Sequence, residues 1–241
     1  ISKQYEPEFK IERGYYFSFK SFIKKAPYNN FGRFAIFRAL INCAAMIAGP
    51  FFVVYMLRDL KFSYLTLMIV IMSQIFFTMI IIRFWGRFSD KYGNYQVLKI
   101  TSILIGFIPI LWLFSGNPIY LILVPQLASG IAWGGFNLAA SNYVFDCVTP
   151  QKRSLALSYY DLLYGFAVFI GAGIGALLVN KISLTFMNPL LFLFLISGIL
   201  RLIVSLLMIG KIKEVKERKK FDIKSWFKHH MSFLYYRGHQ N

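Results

Sequence analysis

The residue most able to do chemistry in this chain is a carboxylate in an apolar setting. Asp161 falls about three turns into the apolar run that starts at Pro150, at roughly 1.5 Å per residue. It shares a helical face with Ser154, Ser158 and Gly165. An acid inside such a run is a candidate for proton coupling; a structural hydrogen bond or ion pair near one mouth is the rival reading. Two further runs carry polar stripes at helical spacing. Arg38, Asn42, Ala45 and Gly49 form one; Gln126, Gly130, Trp133, Asn137 and Ser141 form the other. Polar groups are costly against lipid, so each stripe should face a bundle interior or water. The alternative is helix packing through small residues and interhelical hydrogen bonds, and for Arg38 a snorkelling side chain. Arg201 reads as snorkelling or pairing, and Gly171 and Gly175 as a close-packing pair.

No metal, cofactor or catalytic centre is expected. Cys43 and Cys147 lack metal-ligand spacing, and His229, His230 and His239 lie together in the tail without nearby cysteine or acid. There is no Gly-rich phosphate loop, no GxSxG elbow and no HExxH.

The elements that must position these groups follow from composition. Of 241 residues, 57% are hydrophobic and 15% charged, against about 45–50% and 25% in soluble domains. The excess is concentrated in runs near 33–58, 63–85, 97–115, 118–145, 150–180 and 189–210. Each is long enough to cross a bilayer core, which takes about 20 apolar residues as a helix. The expected fold is therefore all-α membrane, a six-transmembrane-helix bundle. A basic lead (1–30) precedes the bundle (31–210), and a basic amphipathic tail (211–241) follows. Asn117-Pro118, Thr149-Pro150 and Asn188-Pro189 read as capped helix starts, as does Ser63. Gly86 and Gly116 read as helix ends in the left-handed conformation.

Charge gives the expected orientation. The net charge is +17. Lys and Arg gather before the first run, at 83–91, at Lys152-Arg153 and beyond 211, beside the apolar runs. The alternate connections hold only Arg58 and Lys61 beside Asp59, none at 116–118, and Lys181. The positive-inside rule places both termini in the cytoplasm of a multi-pass cell-membrane protein. Anionic lipid headgroups account for the basic excess better than nucleic acid does, so lipid is the expected partner. Phe221, Trp226, Phe227, His230 and Leu234, with Lys224 and Lys228, suggest an interfacial helix over 221–236.

The connection after the second run reads Gly86-Arg87-Phe88-Ser89-Asp90-Lys91-Tyr92-Gly93-Asn94-Tyr95. It resembles the signature loop of the major facilitator superfamily of secondary transporters, G-x-L-x-D-R/K-x-G-R/K-R/K. Gly86, Asp90, Lys91 and Gly93 match, while Phe88 and Asn94-Tyr95 depart from the pattern. Its two glycines suit a tight reversal. The connection from Asp146 to Arg153 is similar to the acid, proline and basic residue many members carry there. The run from Trp133 through Ala167 resembles drug and solute transporters of that superfamily. The resemblance covers roughly 30–215. Members usually have two six-helix halves, and residues 1–30 resemble the central loop that precedes the second half. The resemblance, and a first residue that is Ile, imply a C-terminal half, as a fragment or a split gene. It further implies that the first and fourth helices line a substrate cavity, so that Arg38, Asn42, Gln126, Trp133 and Asn137 are candidate substrate residues. Gly86, Asp90, Lys91, Gly93, Asp146 and Arg153 become the candidate conformational motif, with Asp90 and Arg153 in one gate network. The implied function is secondary active transport of a small solute by alternating access, with the N-terminal half as partner. A non-transporting membrane subunit that needs a partner is the alternative, and an enzyme is not expected.

Overall fold

The structure is a computed structural model, and it describes residues 18–181 and 187–216. Among these residues the regular structure is helical, with no strand. A short lead helix, Phe19–Lys25, comes first. Six helices long and apolar enough to span a membrane follow: α1 (Asn30–Asp59), α2 (Tyr64–Tyr92), α3 (Asn94–Leu111), α4 (Pro118–Cys147), α5 (Pro150–Lys181) and α6 (Pro189–Lys211).

Local chemistry sets most of the starts. Ser63 accepts from the Thr66 N–H at 3.2 Å, Asn117 from Ile119 at 2.9 Å and Asn188 from Leu190 at 2.8 Å. Each side chain satisfies a donor that the first helical turn cannot pair internally. Thr149 departs from its expected role: its side chain makes no capping bond, and α5 opens with a 3₁₀ turn, Pro150–Lys152. The glycine reading needs correction at two positions. Gly86 is helical, and α2 continues seven residues past the expected limit, to Tyr92. The reversal is made by Gly93 alone, at φ 93° and ψ 157°, a conformation that side chains with a Cβ rarely take. Gly116 has no positive φ; an added Cβ there would meet Leu60. Two spans contain a π-helical turn, Tyr55–Asp59 in α1 and Ile122–Gln126 in α4. The second holds Pro125, whose missing N–H breaks the ordinary ladder.

The helices pair in a regular way. Helix α1 packs on α5 and α6, α4 packs on α2 and α3, and α3 packs on α6. Shifting every helix by three exchanges these pairs: α1–α5 becomes α4–α2, α1–α6 becomes α4–α3, and α3–α6 maps onto itself. The bundle is thus two three-helix repeats, and an odd number of spans per repeat inverts the second relative to the first. Small residues allow the closest approaches. A Cβ on Gly171 or Gly175 of α5 would strike the carbonyls of Cys43 and Ile47 of α1. Gly130 of α4 does the same against α2, 2.8 Å from the Gln74 carbonyl.

Apolar side chains fill the interior as two clusters. One contains Phe34, Phe37, Val97, Phe136 and Tyr143; the other contains Tyr55, Met56, Trp112, Leu190 and Phe194. The spans differ in how much they bury. Only 11% of the most apolar stretch of α2 and of α5 is buried, against 39–50% in the other four.

Candidate transport cavity

The first polar group sits on the α1–α5 seam. The glycine contacts hold these two helices close enough for Arg38 to reach across. Its guanidinium lies over the rings of Tyr160 and Tyr164, at 4.3 and 4.5 Å, and its Nη1 is 3.4 Å from Asp161. The Asp161 side chain remains 65% exposed, and that of Arg38 20%. Two electron-rich faces and a carboxylate thus share one cation. Asn42, one turn on from Arg38, is buried and donates to the Arg38 carbonyl at 2.9 Å.

The second group surrounds a cavity of about 310 Å³ between α1, α2, α3, α4 and α6. Gln126 and Trp133 line it, with Gln74, Trp112, Ser129 and Arg201. Gln126 is held by a 2.8 Å bond from its amide nitrogen to the Val70 carbonyl, and Trp133 by an edge contact with Phe136. Asn137 is exposed, one turn further along α4. The structure therefore separates the sequence candidates. Gln126 and Trp133 meet at the cavity, Arg38 meets Asp161 with Asn42 bonded behind it, and Asn137 lies apart from both clusters.

Arg201 corrects the sequence reading most. It neither snorkels nor pairs with an acid among the described residues. It is 3% exposed, and its guanidinium donates to the Ser197 hydroxyl at 3.1 Å and to the Ala45 and Ile105 carbonyls at 3.2 and 3.3 Å. A sequence signal was present: Ser197 and Ser205 flank Arg201 one turn away on the same face.

The third group lies at the Gly93 end of the bundle. Asp90, Asn94 and Asp146 line one hollow with Lys216. Asp146 pairs with Lys216 at 2.7 Å and accepts from Asn94 at 2.9 Å. Lys91 stands over the ring of Tyr92, 5.0 Å from its centre. Phe145 lines the same hollow as Asp90, while its ring carries the Arg153 guanidinium at 4.7 Å. The segment after α6 straps this end together. Asn30 exchanges 2.9 Å bonds with the backbone of Lys213 and donates to Tyr143 at 2.7 Å; Tyr143 donates to the Lys213 carbonyl, and Glu214 accepts from the Tyr95 N–H at 3.0 Å. Sequence reasoning missed this strap, because its bonds join positions 70 or more residues apart. The expected interfacial helix at 221–236 lies outside the described residues.

Six apolar helices in inverted three-helix repeats define a multi-pass membrane protein. The family model for the Major Facilitator Superfamily matches residues 34–235, and the chain belongs to that superfamily. Among curated proteins it is similar to the vacuolar basic amino acid transporter 1 of Saccharomyces cerevisiae, 26% identical over 99 residues. That match covers 41% of this chain and 17% of the relative, so the chain spans under a fifth of that protein. That superfamily consists of membrane transporters, which are not enzymes.

Proposed function

We propose that the chain is one six-helix half of a secondary active transporter that moves a small solute by alternating access. The observation that carries this reading is the exposed Asp161, beside Arg38, on a helix otherwise suited to lipid. It lies about 17 Å into α5 from Pro150. A charged group at such depth costs roughly 2.5–3.5 kcal/mol on the insertion scale if it faces hydrocarbon. A surface shared with a second half, enclosing a wet path, removes that cost. The low burial of α2 and α5 supports the same surface. Arg38, Asn42, Gln126, Trp133 and Asn137 then belong to the wall of the solute path, and Asp161 to its coupling. The Gly93 end, with Asp90, Lys91, Asp146 and Arg153, is the gate, and the Asp146–Lys216 pair is its latch. The Lys and Arg bias supports placing that end and both termini in the cytoplasm of a cell membrane.

The test uses a single cysteine in place of Asn137, in the full gene product reconstituted in vesicles. Alternating access predicts labelling by impermeant thiol reagents from either side. It also predicts saturable, gradient-driven flux of at least one solute in a panel that starts with amino acids, the class in the relative's name. Access from one side only, with no flux, would overturn the transporter reading in favour of a non-transporting subunit.

A further inference from the structure

We infer that the cavity beside Arg201 is a binding site for a carboxylate-bearing small molecule. Arg201 lies about 18 Å along α6 from Pro189, near the middle of the span. Burial at that depth removes the water that would otherwise solvate its charge, and among the described residues no acid replaces it. A guanidinium has five N–H donors. Nε uses its one on Ser197, Nη1 one on Ile105 and Nη2 one on Ala45. One N–H therefore remains on each terminal nitrogen. Those two nitrogens are the pair that grips a carboxylate in bidentate fashion. The three occupied bonds fix the plane of the fork, so little ordering remains to be done when an anion arrives.

The surroundings suit such a guest. Arg201 opens on the cavity of about 310 Å³, whose other polar walls are Gln74, Gln126, Ser129 and the indoles Trp112 and Trp133. These are neutral groups, and no carboxylate lines the cavity to recruit a cation in its place. The volume is at the low end for small-molecule pockets, roughly 300–1,000 Å³, so it fits a compact acid with an apolar body against Trp112 and Trp133. The purpose of the site, holding the solute's carboxylate during transport, rests on the transporter reading. The binding itself does not.

The full gene product, purified in detergent, serves for the test. Isothermal titration with benzoate is compared with benzamide, its neutral isostere. Benzoate should bind at least about tenfold more tightly, as a charge-assisted bidentate contact demands. Arg201→Gln should abolish that preference. Because Arg201 also bonds three helices, this variant could fail to fold, and Gln74→Glu decides the matter independently. It leaves every Arg201 bond in place but adds a negative charge to the wall, and should weaken benzoate about tenfold with benzamide little changed. Equal affinity for the two probes, no benzoate binding, or a benzoate preference that survives both substitutions would overturn the site. The outcome is separable from the transporter reading. Alternating access at residue 137 with no benzoate preference would remove the site alone, and benzoate preference without alternating access would remove the transporter reading alone.

Discussion

Arg38 and Arg201 show how neighbours, more than sequence position, decide what a charge in a span does. Arg38 shares its charge with Asp161 and two tyrosine rings at a half-open seam, whereas Arg201 is held by oxygen acceptors from three helices at the wall of the cavity. The Arg38–Asp161 pair is open on the Asp161 side, and in the wet path proposed above screening leaves it worth no more than about 1 kcal/mol. Asp161→Asn should therefore shift thermal unfolding in detergent very little. If Asp161 couples transport to a proton gradient, the same variant should lose more than tenfold of gradient-driven uptake in vesicles while solute exchange persists. Unchanged gradient-driven uptake would remove the coupling role. Asp161 was legible in the sequence because an acid stands out in an apolar run. The partners Tyr160 and Tyr164 were not, since a cation over a ring leaves no spacing signature. Arg201 was misread because its exposure depends on how α6 lies against α1 and α3.

At the scale of elements, backbone proximity controls the packing. Gly171→Ala and Gly175→Ala each drive a Cβ into a carbonyl of α1, and should destabilise by about 1–3 kcal/mol, the usual range for overpacking. Gly173→Ala meets nothing within 4 Å and should be neutral or stabilising by about 0.4–1 kcal/mol through the unfolded chain. Thermal unfolding of the three variants side by side checks the contrast; a Gly171 variant as stable as the Gly173 variant would disprove the close contact. The strap makes a second demand. Asn30→Ala removes bonds to Lys213 and Tyr143, and should cost about 1–3 kcal/mol and speed amide exchange at Lys213. Unchanged exchange there would show the strap does not depend on Asn30. The caps at Ser63, Asn117 and Asn188 were legible, since a capping residue acts on the next few amides. Gly86 was not, because a glycine permits a helix end without requiring one, and the turn was left to Gly93.

For the whole molecule, six apolar runs sufficed to reveal six spans, because bilayer thickness imposes a length that sequence displays directly. Which faces meet was not displayed. The spans are apolar on most sides, and the α1–α5 and α2–α4 pairings emerged only from glycine contacts and their inverted repetition. Orientation rests on the Lys and Arg bias, and predicts that a single cysteine at Asn117 is labelled by an external impermeant reagent while one at Lys91 is protected. The opposite pattern would invert the topology. The largest claim is that the exposed polar surface on α1 and α5 awaits a second half. The direct measurement is reconstitution of residues 1–241 by themselves, with mass determined in detergent and solute flux measured in vesicles. The half-transporter account predicts no saturable flux until a complementary six-helix half is supplied. A monodisperse monomer that carries saturable flux by itself would contradict it.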